Sequence, residues 1–111
     1  MNLQTRSIVR NVDVEGPRSI TSYNPATEEE IATVSALDGE GAADAVEAAK
    51  AAFPEWANTP VKERQNTLGR WLEIMVAVAD DVAALMSAEM GKPITEAMLV
   101  DVIPACATLE Y

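Results

Sequence analysis

At LDGEG, residues 37–41, the spacing of apolar residues changes, and this change constrains the fold more than any other feature of the chain. Upstream, SITSY (19–23) and IATVSA (31–36) are short runs with β-branched residues in rough alternation, the period of a half-buried strand. Between them, NPATEEE opens with Asn24-Pro25, a turn-forming pair. Two such runs around a turn predict a β-hairpin, which is marginal in water unless it packs on something. Downstream, GAADAVEAAKAAFPEW places Val46, Ala49, Phe53 and Trp56 at helical spacings of three and four. Alanine supplies 19 of the 111 residues and aromatics only 5%, a mixture that favours close-packed helices over a sheet sandwich.

Prolines and a glycine punctuate the helical part. Pro54 is expected to kink or end the first helix near Phe53, leaving Trp56 to pack from the final turn. Thr59-Pro60 then reads as an N-cap followed by proline at the first helical position, with Glu63 where the helix dipole favours an anion. Leu68, Trp71, Leu72, Met75, Val78, Val82, Leu85 and Met86 continue an apolar face, and Asp80-Asp81 offers a break into a short third helix. A last helix is expected from Pro93 onward, aligning Met98, Val102, Cys106 and Leu109, with Pro104 bending it. Residues 1–18 read as a flexible N-terminal arm with a short extended piece at Ser7 to Val9. The chain is therefore expected to be mostly α, a short β-hairpin followed by about four helices.

Several chemistries are excluded or weakened. A net charge of −10 argues against nucleic acid, which requires clustered Lys and Arg, and equally against an anionic membrane surface. No apolar run approaches the length of a membrane span, the first residues do not read as a secretory signal, and the single cysteine permits no internal disulfide. A cytoplasmic location is the expectation. With no histidine there is no Ser-His-Asp or Cys-His set. Cys106 lies on the apolar face of the last helix, where a structural thiol is expected. Glu28, Glu29 and Glu30 lack the alternating oxygens and glycine of a calcium loop. In EMGKPITEA (89–97) the Gly-Lys pair invites a phosphate-loop reading, but Met86 stands where the first glycine belongs and Pro93 where Ser or Thr should hold magnesium. A helix stop at Gly91 and a restart at Pro93 explain these residues.

The order NPATEEEIATV, AVEAAKAAFPEWANTPVKER, LMSAEMGKPITEA, and a helix ending LEY closely resembles the start of the NAD(P)-dependent aldehyde dehydrogenase superfamily. The resemblance covers residues 20–111, and the Glu-Met-Gly-Lys-Pro wording is most similar to the succinate-semialdehyde dehydrogenases. It implies an α/β parent fold, of which residues 19–111 would be an incomplete hairpin-plus-helices part of the cofactor domain. It further implies oxidation of an aldehyde or semialdehyde to the acid: a cysteine thiolate attacks, hydride passes to NAD or NADP, and a glutamate activates water. All of those residues would lie outside this chain, and Cys106 matches no catalytic position. The chain alone is then expected to be inactive, to hold no cofactor, and to need the remainder of the dehydrogenase or self-association to cover its helices. One family feature falls inside. A structural monovalent cation, K+ or Na+, would take backbone oxygens of Ser22 and Tyr23, free of a strand ladder, and the carboxylate of Glu89. The family's turn glycine is Glu28 here, which questions the turn if φ must be positive. A stand-alone acidic helical module that binds a partner protein is the competing expectation.

Overall fold

The computed structural model describes residues 3–110. Its elements run β1 (Ser7–Val9), β2 (Val12–Val14), β3 (Arg18–Tyr23), β4 (Glu30–Ala36), α1 (Gly39–Asn58), α2 (Val61–Ala77), α3 (Ala79–Met90), α4 (Ile94–Glu96), a π-helical segment (Ala97–Val102) and α5 (Ile103–Glu110). The chain divides into two compact units, one holding residues up to Tyr23 with Glu30–Asn58, the other Asn24–Glu29 with Thr59 onward.

In the first unit, β3 and β4 pair antiparallel from Arg18↔Ala36 to Ser22↔Ala32, the hairpin expected from the alternation. The register then shifts to Tyr23↔Glu30, so Ile31 is an extra residue on β4 and forms a bulge. A second hairpin lies within the segment read as an arm. There β1 pairs with β2 around Arg10 and Asn11, whose φ values of 54° and 60° make the two-residue turn that suits strand twist. This segment is tied to β4: the Ser35 N–H donates to the Thr5 carbonyl at 2.7 Å, and the Gly16 N–H donates to Ser35 Oγ. A Cβ on Gly16 would stand 2.0 Å from the Ala36 carbonyl oxygen, so only glycine fits there.

Asp38 starts α1. Its Oδ1 accepts from the Gly41 N–H at 2.9 Å, and its carbonyl accepts from the Ala42 N–H. Of the two outcomes expected from the proline, a kink or an end, the end is excluded: the helix runs through Pro54 to Asn58. Pro54 has no N–H to give Lys50, and the helix tolerates that loss in a solvent-exposed stretch. The apolar face of α1 is uncovered in this chain, with Val46 and Phe53 each 65% exposed.

The second unit begins α2 one residue later than expected. Pro60, with φ −53° and ψ 141°, takes the cap position assigned to Thr59, and its carbonyl accepts from Glu63 and Arg64. The break between α2 and α3 falls at Val78, which ends one helix and starts the next, so Asp80 and Asp81 sit in the first turn of a full three-turn helix. Gly91 ends α3 in the left-handed region, φ 70°, as the helix-stop reading requires. The last helix is not a simple bent α-helix. Between α4 and α5 its bonds lengthen to the π pattern, with the Ile103 N–H reaching the Met98 carbonyl one residue ahead of Pro104. The buried core is small: Ala83, Ala97 and Val102, with Val82, Met86, Met98 and Cys106 packed against it.

Candidate functional site

The turn at Asn24 and the stop at Gly91 meet in the second unit. Asn24 Oδ1 accepts from the N–H groups of Ala26 (2.8 Å) and Thr27 (3.3 Å), while its backbone bonds Glu28 and Glu29. Glu28 takes φ 61°, so the turn keeps its left-handed geometry although the residue carries a side chain. Pro25 follows and packs on Gly91, where an added Cβ would come within 2.9 Å of Pro25 Cγ. Gly91 thus serves two needs, a positive φ and room for the proline.

Lys92 does not reach toward a phosphate. Its ammonium pairs with Asp101 Oδ2 at 2.5 Å, and the Lys92 and Asp101 side chains are only 16% and 28% exposed. Ser87 Oγ donates to the Lys92 carbonyl at 2.7 Å, and the Gly91 N–H donates to the Ser87 carbonyl. The stretch is a clamp between the end of α3 and the π segment, with its cation and the Gly91 N–H already committed. Sequence reasoning did not find Asp101 or Ser87, because the nine-residue separation of Lys92 and Asp101 spans a turn and the start of a π segment.

The three candidate cation ligands fall in both units. Ser22 and Tyr23 are the last residues of β3, opposite Ala32 and Glu30, so they lie in the ladder rather than free of it. The correction is partial, since the bulge interrupts regular pairing between these two residues. Glu89 lies in the last turn of α3. Two backbone oxygens and a carboxylate are hard donors of the kind alkali cations take. Among the described residues, no three His, Cys, Asp or Glu side chains gather to hold a metal ion.

Cys106 is half-buried on α5 and lines an apolar cavity of about 410 Å3 with Leu72, Val76, Met98, Val102 and Ile103. The LDGEG turn does not fit the phosphate-binding loop of a dinucleotide site. The strand-to-helix turn LDGEG follows an antiparallel hairpin, lacks a third glycine after GEGAA, and presents the Asp38 carboxylate to the Gly41 N–H that a phosphate would need. Among the described residues, no helix is long and apolar enough to cross a membrane.

Residues 12–111 match the model of the aldehyde dehydrogenase family. The chain belongs to that family. As an aldehyde dehydrogenase segment it is 42% identical over 86 residues to a glutarate-semialdehyde dehydrogenase of Pseudomonas aeruginosa, covering 78% of this chain and 18% of that protein. It is 32% identical over 111 residues to a mitochondrial succinate-semialdehyde dehydrogenase of Oryza sativa, covering 98% of this chain and 21% of that one. The solved succinate-semialdehyde dehydrogenase of Burkholderia pseudomallei superposes with a TM-score of 0.91 at 30% identity, covering 98% of this chain and 23% of its own. This chain therefore spans about a fifth of the curated relatives it matches. Mostly helical, with hairpins ahead of the helices, it corresponds to the N-terminal segment of the α/β dehydrogenase fold.

Proposed function

We propose that this chain is the N-terminal portion of an NAD(P)-dependent semialdehyde dehydrogenase, acting in the cytoplasm, and that it contributes structure rather than chemistry. The similarity to glutarate- and succinate-semialdehyde dehydrogenases carries the substrate class, an aldehyde that bears a carboxylate at its far end. A solved relative at 25% identity was crystallised with nicotinamide adenine dinucleotide, which supports that cofactor for the complete enzyme. The resemblance supplies the reaction type, oxidation to the acid through a cysteine thioester. No residue of this chain takes part in a step.

The chain's own residues build and present surfaces. The Asn24 turn seats Pro25 on Gly91, the Lys92–Asp101 pair holds the π segment against the end of α3, and α1 and α2 offer apolar faces to the rest of the enzyme. Ser22, Tyr23 and Glu89 are the proposed ligands of a structural K+ or Na+. That assignment rests on the family resemblance and on the oxygen chemistry of the three groups.

The test is absorbance of NADH or NADPH formed from succinate or glutarate semialdehyde. The 111-residue chain alone is expected to give the rate of a protein-free control. Turnover by the isolated chain above that control would overturn the proposal.

A further inference from the structure

We propose that a pocket in the first unit binds a phosphate monoester, with Arg6 and Arg18 as its cations and Ser19 and Ser35 as neutral donors. The pocket, of about 390 Å3, forms where the two ends of the β1–β2 hairpin meet β3 and β4, and these four residues line it together with Thr5 and Glu15. That volume lies within the range of small-molecule sites. The local charge is opposite to that of the chain as a whole. Residues 1–27 carry Arg6, Arg10 and Arg18 against Asp13 and Glu15, a net +1, while residues 28–111 carry five Lys or Arg against sixteen Asp or Glu, a net −11.

The donors are open to an incoming ligand. Exposed Arg18 commits only Nη2, to the Leu37 carbonyl at 3.2 Å, so most of its N–H groups have no acceptor among the described residues. Arg6 Nη2 stands 3.6 Å from Glu15 Oε2, and the Arg6 and Glu15 side chains are 53% and 72% exposed, a weak surface pair that a ligand can displace. Ser35 Oγ accepts from the Gly16 N–H, which leaves its own O–H to donate. The Ser19 hydroxyl is exposed and has no hydrogen-bond partner among the described residues. Two forked cations and two hydroxyls that approach from different strands suit a phosphate, whose terminal oxygens accept in several directions, better than a planar carboxylate. The rest of the pocket is lined mostly by polar atoms, which fits a polar remainder on the ester. None of these residues has a part in the proposed reaction, so the inference stands or falls apart from it.

The experiment is isothermal titration calorimetry of the 111-residue chain at constant ionic strength, with inorganic phosphate, glycerol phosphate and glutarate as probes. Both phosphates are expected to saturate with dissociation constants below about 10 mM, glycerol phosphate being the tighter. R18M is expected to weaken binding about tenfold and R18K less, because lysine keeps the charge without the fork. S19A changes an exposed side chain with no internal partner, so it leaves the fold intact and is expected to weaken binding about threefold. E15Q removes the competing carboxylate and is expected to tighten binding. K62M in α2 loses the same charge outside the pocket and is expected to leave the affinity unchanged. An equal loss from K62M and R18M would reduce the effect to net charge and overturn the inference. Glutarate binding as tightly as phosphate, or no saturation by either phosphate, would overturn it as well.

Discussion

Arg10, Asn11 and Glu28 hold left-handed backbone conformations that side chains resist, and each sits in a tight turn. For Glu28 the cost is about 1–2 kcal/mol, of which a glycine would return part as extra freedom in the unfolded chain. E28G is therefore expected to stabilise the second unit by about 0.5–1 kcal/mol, seen as a higher urea midpoint followed by tryptophan fluorescence. Gly91 behaves in the opposite sense. G91A meets both φ 70° and Pro25 Cγ at 2.9 Å, and is expected to cost about 2 kcal/mol or more in the same measurement. If E28G proved neutral and G91A harmless, the turn and cap would not have the geometry described. Gly91 was legible as a helix stop because glycine before Lys-Pro has few other uses. The Pro25 contact was not, since it joins residues more than sixty positions apart.

At the scale of elements, what could be read from spacing followed from local bonding, and what could not depended on distant cover. The β3–β4 hairpin and the α3 stop were legible because alternation, Asn-Pro and glycine act within a few residues. The β1–β2 hairpin escaped because its turn is Arg-Asn and lacks the Asn-Gly or Asp-Gly that marks such turns. The π segment escaped because apolar spacing does not distinguish a five-residue from a four-residue hydrogen bond over two turns. Pro54 was expected to kink or end α1, and it does not end it. Its effect is a lost bond and a clash with the Lys50 carbonyl, a cost of about 3 kcal/mol that the flanking helix absorbs rather than a stop. P54A is accordingly expected to stabilise α1 by about 1–3 kcal/mol, measured by slower amide exchange from Ala48 to Asn58. Exchange unchanged along that stretch would show that α1 ends before the proline. For the proposed cation ligands, only their places in the fold can be set against the sequence. Glu89 falls at a helix end as expected, but Ser22 and Tyr23 lie in a strand, and their bulge could not be read from the sequence because it depends on the pairing of β4.

For the molecule as a whole, the side chains that are fully out of water decide what it can do alone. Among the described residues these are Ala83, Ala97 and Val102, all in the second unit. Two alanines and a valine, with five partly buried apolar residues packed on them, make a small core for the helices that carry them. Meanwhile Phe53, Trp71, Ile74, Leu99 and Ile103 remain about half exposed or more, on faces too apolar for a self-contained domain. The isolated chain is therefore expected to melt over a broad range, to bind a hydrophobic dye such as ANS, and to show a urea dependence shallower than the ~1 kcal/mol/M of a small cooperative domain. Salt sharpens the test. With ten net negative charges per chain, repulsion keeps copies apart at low ionic strength, so association should rise as salt screens it. A steep transition without dye binding, unchanged from low to high salt, would mean that the exposed faces are stable in water and need no cover. Under the proposed function, the same measurements on the complete enzyme are expected to show the faces silenced, because the rest of the dehydrogenase would bury the apolar area that binds dye here.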